Sequence, residues 1–236
     1  MAAARQETGA NLSLKVGRVA APLREQVLDV VRQAILDFHY KPGQRLIERE
    51  LIEQIGVSRT TVREVLRELE AEGLVTTVPQ KGAIVVVPSA EEAAELYEVR
   101  TALEELAVRQ FVERASDEQV AELRATTDAF KKIVDEGSDT KALLAAKDAF
   151  YDVLLEGAGN GEVRSILNSL QARVRMLRAA SMSNPGRGPK IIKELNDLVS
   201  AIERRDADAA AAACARHLGK AEASGLKGIS SYSPPA

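Results

Sequence analysis

Lys41–Val75 reads KPGQRLIERELIEQIGVSRTTVREVLRELEAEGLV, and its punctuation decides the fold of the first third of the chain. Pro42-Gly43 ends any helix that precedes it, because proline lacks a backbone donor and glycine favours turns. A short helix is predicted from about Glu48 to Gln54, with Gly56 breaking it. Ser58 is placed to cap a further helix from Arg59 to about Glu72, and Gly73 stops that helix. Val62, Val65, Leu66 and Leu69 recur at helical spacing and supply a face to bury. Arg59 and Arg63, four residues apart, share another face. Thr60 and Thr61 flank Arg59 at the N-terminal end.

Upstream, Pro22 suits the first turn of a helix. Val27, Val30, Val31, Ala34, Ile35 and Phe38 repeat at helical spacing between Leu23 and Phe38. Downstream the pattern turns β-rich. Leu74–Val78 and Ala83–Val87 read as strands, Pro79-Gln80-Lys81-Gly82 as the tip joining them, and Pro88 as the end of the unit. Three helices and a β-hairpin are the plan of a winged helix-turn-helix, whose third helix fills a major groove wide enough for one helix. An arginine pair on a helix is usually a solvated face. Here cations stand at every docking point of that plan. Arginine pairs with guanine O6 and N7, and threonine reaches phosphates or a thymine methyl. Arg49 opens the short helix beside the groove, and Gln80 and Lys81 sit at the hairpin tip, where Gly82 allows the turn. The candidate DNA-contacting set is Arg49, Ser58, Arg59, Thr60, Thr61, Arg63, Gln80, Lys81 and Gly82.

Beyond Pro88 the chain reads as helical. Ser89 with Glu92, and Ser116 with Gln119, form capping boxes that start helices over about 90–114 and 117–135. Further helices are predicted at about 140–156, 162–182, 189–204 and 207–223, with 157–161 and 183–189 as loops. The fold class is mainly α: a winged helix-turn-helix followed by an all-α helical bundle. The expected division is an N-terminal arm at 1–20, the DNA-binding unit at 21–88, an effector-binding and dimerisation domain at 89–228, and a Ser/Pro-rich tail at 229–236. Arg5, Lys15 and Arg18 in the arm are solvated cations within reach of phosphates.

Composition narrows the function. Of 236 residues, 45% are hydrophobic but only 3% aromatic, with no Trp, so the core must be aliphatic. A net charge of -3 argues against a sequence-indifferent DNA coat, although a local basic patch suffices for specific contacts. Cys214 is the single cysteine, so no intrachain disulfide forms; in its alanine-rich helix it reads as a small core residue, with a redox sensor as the alternative. The absence of a bilayer-length apolar run and of a signal-peptide core leads to the expectation of a cytoplasmic protein without a membrane partner. No converging nucleophile, base and oxyanion-stabilising set is evident, so neither an enzyme nor a cofactor is expected.

Residues 23–87 resemble the DNA-binding domain of the GntR family, through Pro42-Gly43, Glu48-Arg49-Glu50, Gly56-Val57-Ser58-Arg59, Val62-Arg63-Glu64 and Gly73-Leu74. The resemblance implies that Arg49, Arg59 and Arg63 meet DNA and that Gly82 is the wing glycine. Residues 89 to about 224 resemble FCD, the helical ligand-sensing domain of the FadR subfamily, in LYEVRTALEELAVRQF (96–111), DAFYDVLLEGAGN (148–160) and AIERRDADAAAAACARHL (201–218). Many such domains hold a divalent metal on an Asp, a His four residues later and two further His. Those positions read Lys147, Tyr151, Leu195 and His217 here, and Asp148 is one residue out of register, turned by about 100°. One His and a Tyr are too few ligands, so no family-type metal site is expected.

Lys147 instead puts an ammonium near the position of that metal. It meets an acidic effector, or an internal acid such as Glu104, or else it snorkels to solvent. Arg100, Lys147, Tyr151, Arg173, Asn196 and His217 form the candidate effector-binding set, with Arg175 and Arg178 as further cations; Arg173 and Arg175, two apart, cannot share a face. Their charge points to an anionic effector, a carboxylate or an acyl-CoA-like molecule. A single small reading head has limited affinity, so a homodimer on a palindromic duplex is expected, with the dimer contact in the helical domain by resemblance. The expected role is a repressor of a metabolic operon. The rivals are a bundle that only dimerises and a bundle enzyme with a DNA-binding head.

Overall fold

Buried aliphatic side chains gather around two centres, one in the N-terminal third and one in the helical remainder. The computed structural model describes residues 21–182 and 184–229. The arm with Arg5, Lys15 and Arg18, and the tail from Ser230, lie outside the described residues.

The N-terminal head comprises α1 (Ala21–Leu36), β1 (Arg45–Leu46), α2 (Glu48–Ile55), α3 (Arg59–Ala71), β2 (Val75–Val78) and β3 (Gly82–Val85). Val27, Val31 and Ile35 from α1 meet Leu51, Val62, Val65 and Leu69. Val30 is 59% exposed, although its spacing nominates it for the core. The first helix also ends before Phe38, which adopts a left-handed φ of 60° and reverses the chain. The sheet has the order β1-β3-β2, with β3 antiparallel to both neighbours. β1 is only two residues long, too short to leave a periodic trace in sequence; it exists because β3 offers it a pairing edge.

The remainder is a bundle of α4 (Ala90–Arg114), α5 (Asp117–Asp135), α6 (Thr140–Ala158), α7 (Gly161–Met182), α8 (Arg187–Glu203) and α9 (Ala207–Ile229). Both capping boxes form, each with its serine accepting from the N3 amide and the N3 side chain accepting from the serine amide. α9 packs against α4, α7 and α8 and so runs on to Ile229, six residues beyond the expected end.

Gly157 is helical and buried, not the start of a loop. A Cβ there would lie 2.4 Å from the Phe111 ring of α4, so the absence of a side chain lets the two helices approach. Gly157→Ala is expected to cost about 1–3 kcal/mol through overpacking, seen as a lower midpoint in urea.

Candidate DNA-contacting face and interior polar cluster

α3 is held from both sides. Ser58 caps it, its Oγ accepting from the Thr61 amide at 3.2 Å and lying 2.9 Å from the Thr61 hydroxyl. Thr61 is therefore engaged in the helix cap. Glu70 accepts from the Thr77 amide at 2.8 Å and from its hydroxyl at 3.1 Å, which ties α3 to the wing. Opposite the core, Arg59, Thr60 and Arg63 are exposed. Arg63 donates from Nε to Glu48 at 3.0 and 3.1 Å. Any further partner for that Nε must displace the carboxylate. Arg49 is exposed on α2, 3.8 Å from Glu53.

The wing tip is a turn in which the Lys81 amide donates to the Val78 carbonyl at 3.1 Å, with Gln80 at φ 67° and Gly82 at φ 82°. Gln80 and Lys81 are exposed. Two further exposed arginines border this face and are missing from the sequence-derived set. Arg67 continues the stripe of Arg59 and Arg63 at i+4, and lines a groove with Glu48, Arg63, Thr77 and Gly82. Arg45 approaches Gly82 from β1. The four-residue spacing of Arg67 was a sequence signal; Arg45 had none, because its place depends on β1 pairing with β3.

The bundle interior is polar to an unusual degree. Arg100, Glu104, Lys147, Arg178, Arg187, Glu194 and His217 are each no more than 9% exposed. Arg100 Nε donates to Glu104 at 2.9 Å, and Arg187 makes two parallel bonds to Glu194 at 2.8 and 2.9 Å. His217 Nδ1 lies 2.7 Å from Glu194, and Lys147 Nζ lies 3.2 Å from His217 Nε2. A neutral imidazole satisfies both contacts, donating from Nδ1 and accepting at Nε2 from the ammonium. Burial and the neighbouring Lys147 push the His217 pKa down to about 4, which favours that neutral form. Burial, with Arg178 and Arg100 nearby, brings Lys147 down to about 7. Lys147 thus points inward, 2% exposed, and does not snorkel. Its ammonium also lies 5.0 Å from the Tyr151 ring centroid and 5.3 Å from that of Phe150, within cation–π range.

Two cavities meet at this cluster. The inner one is tight, about 10 Å³, and is lined by Arg100, Lys147, Arg178 and Arg187 together with Tyr151 and His217, and by no carboxylate. The outer one, about 30 Å³, is lined by Glu104, Asp148 and Asp152 beside Asn168, Gln171 and Arg178. Tyr151 and Arg178 line both, with the guanidinium stacked 4.0 Å over the ring. Arg100 Nη1 and Arg178 Nε are buried without a hydrogen-bond partner among the described residues.

Two of the expected effector residues lie elsewhere. Arg173 is exposed and lays its side chain against Gly73 of the head; Arg175 and Arg178 are the arginines that α7 buries. Asn196 accepts from Arg124 at 2.7 Å on the α5 side, because α8 turns Glu194, two residues earlier, toward the cluster. Leu195 is fully buried among aliphatic side chains. Asp148, out of register for the family metal, pairs with Arg175 and Arg178. The residues do not fit the divalent ion of other FCD domains: an ammonium contacts the one matching His, and among the described residues no three His, Cys, Asp or Glu side chains converge. Cys214 is buried, and burial raises its thiol pKa far above the usual range, the environment of an inert core residue. No helix among the described residues is long and apolar enough to cross a membrane.

A winged helix-turn-helix joined to a helical bundle with a polar interior defines a class, the one-chain transcription regulators that combine a DNA-reading head with a ligand-binding domain. Residues 23–85 match the bacterial regulatory proteins of the gntR family, and residues 95–220 match the FCD domain. The chain belongs to the GntR family, in the FCD-containing, FadR-like branch. It is 36% identical to the Nta operon transcriptional regulator of Aminobacter aminovorans over 145 residues, covering 61% of this chain and 67% of that protein. It is 25% identical to the HTH-type transcriptional repressor RspR of Escherichia coli, covering 84% and 86%. A solved GntR transcriptional regulator from Rhodococcus superposes with a TM-score of 0.74 at 25% identity, over 86% of this chain and 97% of that one.

Proposed function

We propose that this regulator is a homodimeric repressor of a metabolic operon, released or re-posed by a small carboxylate held in the bundle. The head spans 21–88 in this reading and the effector domain 89–228. The carrying observation is the inner cavity, where four cationic side chains and a neutral imidazole face one space without a carboxylate among them. A shell of that kind favours an anion. The free space is small, about 10 Å³ inside and about 30 Å³ in the outer cleft, so the acid must be small and must part the surrounding side chains to enter. Arg100, Lys147, Tyr151, Arg178 and Arg187 are the residues expected to receive it. A thermal-shift screen of small mono-, di- and tricarboxylates tests the assignment; a silent screen would leave the bundle as a dimerisation domain only.

On DNA, Arg49, Arg59, Thr60 and Arg63 are assigned to the groove and Gln80, Lys81 and Gly82 to the flanking backbone, with Arg45 and Arg67 added as phosphate contacts. Ser58 and Thr61 act by shaping the helix start. Arg63→Ala is expected to weaken binding to the operator, selected from random duplexes, by about 1–3 kcal/mol and to relax preference at one base pair. Equal loss on operator and random DNA would instead make Arg63 a phosphate contact.

Val99 and Leu106, 45% and 41% exposed, lie seven residues apart on one face of α4. This apolar stripe supports dimerisation through the bundle. Leu106→Asp is expected to yield a folded monomer by analytical ultracentrifugation, with weakened operator binding. Repression is supported by the role named for the Escherichia coli relative.

A further inference from the structure

The bundle cavity and the head are joined by alternating charges. Arg178 Nη1 donates to Asp148 Oδ1 at 3.0 Å. The other oxygen of Asp148 lies 3.2 Å from Arg175 Nη1, and Arg175 Nη2 donates to Asp37 Oδ1 at 3.3 Å. Asp37 follows the last turn of α1, where the helix dipole disfavours a carboxylate. It is held there by Arg175, by Lys141 at 2.7 Å and by Gln33 at 2.9 Å. Burial alone would raise its pKa, but these partners bring it below the ordinary value. The side chains of Asp37, Asp148, Arg175 and Arg178 are only 10–16% exposed, so solvent screens their interactions weakly.

The same stretch of α7 docks the head by packing. Met176 is buried in the head core, and Arg173 covers Gly73. A change in what Arg175 holds is therefore made at the joint itself.

We propose that Arg178 is the switch by which an anion in the bundle cavity loosens the head. Asp148 is shared by two guanidiniums, and Arg175 by two carboxylates. Sharing leaves each contact weaker than an exclusive pair. Arg178 lines both cavities and its Nε has no partner among the described residues, so a ligand in the inner cavity meets it directly, whereas Arg175, whose Nε is in the same state, borders the cleft against α1. An anion that engages Arg178 draws it from Asp148. Asp148 then relies on Arg175, and Arg175 turns from Asp37 toward it. Asp37 keeps Gln33 and its bridge to Lys141 of α6 but loses its tie to α7, so the head is freed along α7 and stays held at Lys141. The ligand thereby binds the loosened pose better than the docked one, as any effector must to shift the balance. The proposal rests on the reading of the cavity as an anion site, but its test does not.

Two substitutions on one ion pair should act with opposite sign. Arg178→Met removes the competitor for Asp148, as the anion does. In the full-length protein it is expected to speed hydrogen exchange of the amides at 33–40 about fivefold or more, the lower end of ordinary coupling. Asp148→Asn releases Arg175 to Asp37, and exchange there is expected to slow or hold constant. Arg178→Lys keeps the charge and should return exchange toward wild type. A merely structural ion pair would speed exchange in both of the first two variants, and that result, or no response to Arg178→Met, overturns the relay. Thermal-shift measurements with citrate and pyruvate on the wild type judge the anion reading separately, so failure of either claim is recognisable by itself.

Discussion

Glu104→Ala is expected to destabilise the bundle by about 3–5 kcal/mol. Both side chains of the Arg100–Glu104 pair are no more than 2% exposed, and Nη1 of Arg100 already lacks a partner among the described residues. Removing the carboxylate would leave a guanidinium with neither water nor counter-ion. Burial alone would raise the Glu104 pKa, yet Arg100, with Arg178 nearby, brings it below the usual carboxylate range, which marks how strongly the pair depends on both members. The double substitution Arg100→Met with Glu104→Met should recover most of the loss, because an apolar pair of similar volume has no charge to desolvate. Urea denaturation of the two single variants and the double variant reads this directly. If the double variant were no more stable than the worse single one, packing and not charge would explain the loss.

The second large effect is a loss of stability toward acid, built into the same cluster. An unfolded chain protonates His217 as pH falls through about 6.5, whereas the folded protein holds it neutral until about 4. Stability therefore falls across that window. The Glu194 carboxyl, raised by burial but lowered further by hydrogen bonds from His217 and Arg187, sits at about 2 against 4.5 unfolded, so the loss continues below 4.5. Lys147 extends the slope upward: unfolded it keeps its proton to about 10.5, folded only to about 7, so stability rises with pH between these values. All three slopes have one sign. Lys147→Met should flatten the branch above pH 7 and raise the melting temperature at pH 7 by about 4 °C or more, from relief of a buried charge. His217→Gln should flatten the branch from 6.5 to 4. Calorimetric scans from pH 4 to 10 check both, and a melting temperature independent of pH would contradict the buried, neutral imidazole.

The same cluster shows why the interior was only partly legible in sequence. Lys147, Tyr151 and His217 could be nominated because they lie at positions the family resemblance marks, and Arg100 only as one of several polar residues able to line a pocket. Glu194 and Arg187 carried no comparable signal. They matter because α8 begins beside the end of α7 and turns both side chains toward His217. Among the arginines of α7, spacing could say that Arg173 and Arg175 face apart, but not which of them faces in.

What the sequence determined by itself is local. Ser58 capping α3, the two boxes Ser89–Glu92 and Ser116–Gln119, the turn at Pro79–Gly82 and the order of helix and strand all follow from contacts within a few residues, where side-chain chemistry and backbone geometry suffice. The exposed face of α3 follows in the same way, since burying Val62, Val65 and Leu69 turns Arg59 and Arg63 outward. Tertiary structure alone decided the two-residue β1, the helical Gly157 beneath Phe111, the inward turn of Arg178 and the outward turn of Arg173 and Asn196. Each depends on how one helix or strand is rotated against a partner distant in sequence. That rotation is set by the summed packing of whole faces, which no short window of residues contains.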